Sequence, residues 1–224
     1  MSICIIPARK GSTRIKNKSI KKINNTYLIS SVIKLAIKSK LFTKVVVTTD
    51  CKKIARIAKN NGAEVPFLRS KKLSDNYTPT YAVLIDAIKK IKIKDQYIFC
   101  IYPTSIMTKI IDLKSAFKLF KRRKADFLCP VTKTNNFFLR SFINKGKYIS
   151  YLLPKYKLYR TQDLPNVYLD SGSFYIYSRK GILSLNKKRP IPTKSIYYLL
   201  KNRFIDINYP KDLKIVKKIL KKKS

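Results

Sequence analysis

Residues 5–20 read IIPARKGSTRIKNKSI. The apolar run of residues 3–6 has the length of a short buried strand, and it stops at Pro7. Arg9, Lys10, Arg14, Lys16 and Lys18 then crowd around Gly11 and Ser12. A strand that runs into a glycine turn loaded with cations fits an α/β sheet whose ligand carries several negative charges. The competing reading is that the chain is basic everywhere and the knot only follows its composition.

The chain has 224 residues, 51 Lys+Arg against 11 Asp+Glu, a net charge of +40 and a hydrophobic fraction of 45%. That length and apolar content suit one domain with a real core. So large a positive charge points toward nucleic acid or an anionic surface. Here the excess is mostly lysine, spread along the chain with isoleucine, asparagine and tyrosine, all residues with A/T-rich codons, so a biased genome accounts for it without a nucleic-acid partner. Cys4, Cys51, Cys100 and Cys129 form no CxxC pair, and there is no histidine, which excludes a Cys/His zinc site. No signal-peptide pattern follows Met1 and no run reaches membrane-span length, so a cytoplasmic protein with no membrane insertion is expected.

Outward from the knot, apolar patterns alternate. Residues 27–40 carry a helical stripe, and KVVVTT at 44–49 reads as a strand buried on both faces. Residues 52–60 read as a helix stopped at Gly62 and 64–68 as a short strand. Residues 80–91 follow as a helix, 96–101 as a strand, 111–122 as a helix and 127–131 as a strand. After Thr132 the rhythm breaks into a basic, aromatic stretch, 135–157, which reads as an inserted hairpin or arm. SFYIY at 173–177 then returns as a strand, RFIDI at 203–207 as the last strand and 211–220 as a closing helix. The pattern predicts a single α/β domain over 1–224: an open, mostly parallel sheet with helices on both faces.

Ligands of such sheets bind beyond the carboxyl ends of strands. The first such end is the knot, where Gly11 permits a tight turn, Arg9 and Arg14 can grip phosphate oxygens in pairs, and Lys18 adds a point charge. It is neither a Walker A loop nor a GxGxxG loop. Other strand ends offer Asp50 and the run Tyr102, Pro103, Thr104 and Ser105. Asp206 and Asn208, alternate residues of the expected last strand, share a face and could give two oxygens to a magnesium ion that also holds phosphates. A third cluster, YRTQDLPNVYLDSGSFYIY at 159–177, gathers Arg160, Gln162, Asp163, Tyr168 and Asp170, donors and acceptors suited to a polyhydroxylated acid.

Taken together, IPARKGSTRIKNKSI, VVVTTD, GAEVPFLR, LSDNYT and YPTS resemble, in content and order, the motifs of the CMP-nonulosonate synthetases, also called acylneuraminate cytidylyltransferases. EVPFLR and the 159–177 stretch look most like the branch that makes CMP-pseudaminic acid. The resemblance covers nearly the whole chain. It implies a nucleotide-diphospho-sugar transferase-like fold and a homodimer joined through the 135–157 arm. It also implies transfer of CMP from CTP to a nine-carbon acidic sugar, with Mg2+ as cofactor. Arg9, Gly11, Ser12 and Lys18 would hold the triphosphate, with Ala8, Lys10 and Arg14 in the same loop. Arg69, Ser74, Asp75, Thr78 and Thr80 would hold the base and ribose, with Tyr102 and Thr104 beneath the nucleotide. Arg160, Gln162, Asp163 and Tyr168 would face the sugar, with Asp170 in the same loop. Asp206 would bind the metal, with Asn208 beside it. Arg9, Lys18 and Asp206 are then the expected catalytic groups.

The chain departs from that family at four places. In the first motif the usual Lys-Asn pair reads Lys18-Ser19 and GSK reads Gly11-Ser12-Thr13; the DxD of the last segment reads Asp206-Ile207-Asn208, and YHDAG reads Tyr168-Leu169-Asp170-Ser171-Gly172. Two alternatives stay open at this point: a sister enzyme acting on N-acetylneuraminic or legionaminic acid, and a basic RNA-binding protein in which the three loops are incidental.

Overall fold

The computed structural model describes residues 1–201 and 204–221. β1 (Ser2–Pro7) enters the core at once. A short hairpin, β2 (Lys22–Ile23) and β3 (Thr26–Tyr27), leads into α1 (Leu28–Ser39). Then come β4 (Val45–Thr48), α2 (Lys52–Lys59), α3 (Thr80–Lys90), β5 (Tyr97–Ile101), α4 (Ile110–Arg122) and β6 (Phe127–Thr134). An outlying hairpin, β7 (Phe142–Lys145) and β8 (Tyr148–Tyr151), precedes β9 (Val167–Asp170) and β10 (Phe174–Ser178). The chain closes with α5 (Arg179–Leu183), β11 (Ser195–Leu199) and α6 (Pro210–Lys221).

Among the described residues the main sheet runs β11-β6-β10-β5-β1-β4, with β9 also paired to β6. β1 pairs in parallel with β4 and β5, and β11 in parallel with β6. β10 is antiparallel to both β5 and β6, and β9 is antiparallel to β6. Five strands therefore share one direction and two oppose it, which bears out the mostly parallel sheet.

The sequence explains the layers. Side chains alternate across a strand. Cys4 and Ile6 of β1, with Phe99 and Ile101 of β5, face α1, α2 and α4; Ile3 and Ile5, with Ile98 and Cys100, face α3 and α5. Helices thus cover both faces, and continuous apolar strands result. On α1 the buried residues Leu28, Ile29, Val32, Ile33 and Ala36 recur at helical spacing. Asn60 caps α2, and Gly62 at φ +88 carries the chain away, donating to the Lys59 carbonyl at 3.0 Å.

The expected short strand at 64–68 is two isolated parallel bridges, Val46 to Glu64 and Thr49 to Leu68. The strand at 127 runs on to Thr134 because β9 pairs with its polar end. The expected last strand at 203–207 is not one. Arg203 lies outside the described residues, and 204–208 carry no strand. SIYYL at 195–199 takes the sheet edge beside β6. Ile205 and Ile207 pack instead with Ile15, Ile23, Leu28 and Val216 of α6. The alternation read there was real, but its apolar members fill a small satellite core against the first loop. A hairpin does lie within the 135–157 arm, and among the described residues no helix is long and apolar enough to cross a membrane.

Candidate active site

The carboxyl ends of β1 and β5, the amino-terminal end of β10 and the segment before α6 enclose a cavity of about 470 Å³. This size suits a nucleotide-sized ligand. The first loop starts tied down: the Ala8 N–H donates to the Thr48 carbonyl at 3.0 Å, and the Lys10 N–H donates to Asp50 Oδ1 at 2.8 Å. At Gly11 the chain makes a three-residue turn, with the Ser12 N–H on the Lys10 carbonyl at 2.8 Å. Arg9, Ser12, Arg14 and Lys18 line the cavity.

Each cation is held by something. Arg9 donates to the Asp75 carbonyl, joining the first loop to the 70–78 loop. Arg14 lies over the Tyr209 ring, 5.4 Å from its centroid. Lys18 donates to the Ile207 carbonyl at 2.7 Å. Arg69 is buried, and its Nε donates to Ser74 Oγ at 3.1 Å. Burial pulls the Lys18 ammonium below its ordinary pKa; Asp206 partly offsets this, and Arg14 and Arg9 add to it. Burial likewise lowers Arg69, with Asp50 opposing and Arg9 adding. Lys18 and Arg69 are thus partly desolvated cations with Arg9 repelling both, an arrangement relieved by a polyanion.

The 70–78 loop is braced by Asp75, whose Oδ1 accepts from the Tyr77 and Thr78 N–H groups at 2.9 and 2.6 Å. Those donors hold its carboxyl below the usual range. Thr78, Thr80, Tyr102 and Thr104 line the floor, where Thr80 Oγ1 and the Tyr102 hydroxyl lie 2.7 Å apart. Burial raises the phenols of Tyr102 and Tyr175, so both stay protonated.

The opposite wall is acidic. Asp170 accepts from the Gly172 N–H at 2.8 Å and from the Tyr175 hydroxyl at 2.6 Å. Asp206 and Asn208 reach the cavity from either side of the fully buried Ile207. The Asn208 amide donates to Asp206 Oδ2 at 2.6 Å. A half-turn of that amide puts its oxygen beside the carboxylate, a pair of hard donors fit for magnesium that also binds phosphates. Among the described residues no three-member cluster of His, Cys, Asp and Glu could form an all-protein metal cage.

The cavity therefore brings together Arg9, Ser12, Arg14, Lys18, Arg69, Asp75, Thr78, Thr80, Tyr102, Thr104, Asp170, Asp206 and Asn208. Ala8, Lys10, Gly11 and Ser74 do not line it, though Ala8, Lys10 and Gly11 share the first loop with residues that do and Ser74 accepts from Arg69. Arg160, Gln162, Asp163 and Tyr168 do not line it. Arg160 pairs with Asp163 at 2.7 Å on an exposed turn, and Tyr168 stacks on Tyr197 with centroids 4.9 Å apart. Gly172 and Tyr175 line the cavity and went unread in the sequence. An antiparallel SFYIY strand would have exposed them, because its beginning, not its end, meets the other strands' carboxyl ends.

Residues 3–218 match the family model described as cytidylyltransferase. The chain is 33% identical to a pseudaminic acid cytidylyltransferase of Campylobacter jejuni subsp. jejuni, over 98% of this chain and 96% of that one. It is 27% identical to a CMP-N,N'-diacetyllegionaminic acid synthase of Legionella pneumophila, over 97% and 95% of the two chains. Among solved structures it is similar to a CMP:2-keto-3-deoxy-manno-octonic acid synthetase complexed with CTP, at a TM-score of 0.76, 13% identity and coverage of 100% and 99%. At that identity the structure speaks for the fold. The sequence matches decide between an enzyme and an RNA-binding protein: the chain belongs to the cytidylyltransferase family and is a nucleotidyltransferase.

Proposed function

We propose that this enzyme couples CTP to a nine-carbon acidic sugar, pseudaminic acid, releasing pyrophosphate and forming the CMP-sugar. The observation that carries the proposal is the cavity itself, with a cation wall facing Asp170 and Asp206. The near full-length similarity to a pseudaminic acid cytidylyltransferase supports the choice of sugar. The similarity to a legionaminic acid synthase keeps that sugar as the second reading.

In this mechanism the anomeric hydroxyl attacks the α-phosphorus in line; the new P–O bond forms as the bond to pyrophosphate breaks. Arg9, Arg14 and Lys18 hold the phosphates and offset the charge growing on the leaving group. Arg69 and the 70–78 loop seat the base and ribose. The hydroxyl proton passes to a carboxylate of the acidic wall, Asp170 or Asp206. Asp206 and Asn208 would hold magnesium, which would supply charge neutralisation to the phosphates. The proposal includes a homodimer formed through the arm, whose Phe142, Ile143, Tyr148 and Ile149 are exposed apolar residues. It also includes a cytoplasmic setting, in keeping with four free cysteines.

The test is product formation with CTP, ATP, GTP and UTP, each offered with pseudaminic, legionaminic and N-acetylneuraminic acids. CMP-pseudaminic acid should dominate. Equal rates with the four nucleotides would remove the nucleotide assignment, and a dominant CMP-legionaminic acid would move the substrate to the second reading.

A further inference from the structure

The first turn of α6 follows closely on Asn208, which lines the cavity, and lines none of it itself. Asp212, third residue of that helix, turns its carboxylate back along the chain, and one oxygen, Oδ2, accepts from the Asn208 N–H at 2.9 Å and the Tyr209 N–H at 2.7 Å. These donors have no partner within the helix, so an acid at this place is a helix cap of ordinary form. Its position makes it more than a cap. Asn208 bonds to Asp206, and Tyr209 presents the ring beneath Arg14. Ile207, the residue before them, gives its carbonyl to Lys18. One carboxylate thus fixes a segment that holds groups on both walls of the cavity.

The rest of α6 secures this from behind. Leu213, Val216 and Leu220 pack against Ile15, Ile23, Leu28 and Ile207, so the helix is clamped to the first loop and to the acidic segment together. Asp212 is also among the charges that act on Lys18, where it favours the ammonium.

We infer that Asp212 is a positioning residue for the transfer reaction, setting Asn208 and Tyr209, and through them Asp206 and Arg14, in one geometry. The inference rests on the proposed CTP-dependent reaction for its readout. A group that orients a ligating residue typically changes activity tenfold or more when it is lost. A cap that only stabilises a helix leaves the turnover of folded enzyme alone.

The experiment compares wild type with Asp212→Ala, Asp212→Asn and Ser178→Ala. Ser178 caps α5 by accepting from the Gly181 N–H at 2.8 Å, at the end of β10 remote from the cavity, and serves as the control for a lost cap. Thermal unfolding, kcat and KM for CTP, and calorimetric CTP binding without divalent metal are measured on each. Both alanine variants should lose about 2–4 °C of thermal midpoint. Asp212→Ala should also lose about tenfold or more in kcat and bind CTP more weakly without metal, through the displaced Arg14. Asp212→Asn, which keeps an acceptor for both N–H groups, should stay within about threefold of wild type. Ser178→Ala should keep wild-type kcat and CTP binding. An Asp212→Ala protein with kcat and CTP binding like those of Ser178→Ala overturns the inference, as does an Asn variant no better than the alanine one. A wild type without CTP-dependent activity would instead bring down the functional reading beneath it, and the inference with it.

Discussion

Gly172 leaves open the space beside Asp206: a Cβ added to Gly172, which holds φ +62, would lie 3.2 Å from Asp206 Oδ2. Asp170 and Asp206, 36 residues apart in the chain, meet across this one glycine, because the Gly172 N–H also holds Asp170. Glycine is required here twice over, for its left-handed backbone and for the space it leaves to the carboxylate. Gly172→Ala should cost about 1–2 kcal/mol of stability from the backbone alone. It should also shift the Asp206 carboxylate by a few tenths of an ångström, with a loss of kcat smaller than the roughly hundredfold that a full ångström brings. Steady-state kinetics on the folded variant check this; unchanged kcat would mean that Asp206 can move without consequence.

Arg9 lines the cavity and already reaches across to the Asp75 carbonyl. Arg9→Ala should lower kcat by about a hundredfold or more, the cost of one charge contact made in the transition state. Near-normal turnover in a folded Arg9→Ala protein would return the basic knot to a surface feature of a basic chain.

Lys18 is held below its ordinary pKa of 10.5, chiefly by burial. A lysine so shifted loses its charge at lower pH than a free one, so kcat/KM for CTP should fall on the alkaline side earlier than an ordinary lysine would dictate. Lys18→Arg keeps its charge and should carry that limb to higher pH. A pH profile with the same alkaline limb in both proteins would assign the limb to another group.

At the acidic segment, Asp206→Ala should abolish turnover, while Asn208→Asp should stay active and reach half-maximal rate at a lower magnesium concentration. The second carboxylate adds the negative charge that the amide lacks. A magnesium titration of the three proteins reads this directly. An unchanged or raised requirement in Asn208→Asp would take Asn208 out of the metal's surroundings.

The readings that succeeded rest on strong local signals. β-branched runs gave β4, helical stripes gave α1 and α3, and the knot at residues 9–18 sits where a parallel sheet places its ligands. The misses share a cause in tertiary pairing. β9 and β11 are short and half-polar, and become strands only because β6 offers both of its sides there. Asp206 and Asn208 do share a wall, but on an irregular segment anchored by Ile207, where the same alternation was mistaken for a sheet strand. Arg160 and Asp163, expected to face the sugar, lie outside the cavity lining and pair with each other on an exposed turn.

The most direct test of the whole account is pyrophosphate release by purified wild type with CTP and pseudaminic acid, with the product identified by mass. The account predicts stoichiometric pyrophosphate and CMP-pseudaminic acid, dependent on both substrates, slowed about a hundredfold or more in Arg9→Ala and lost in Asp206→Ala. Folded enzyme that releases no pyrophosphate with CTP and any of the three acidic sugars, in the presence of magnesium, would contradict it.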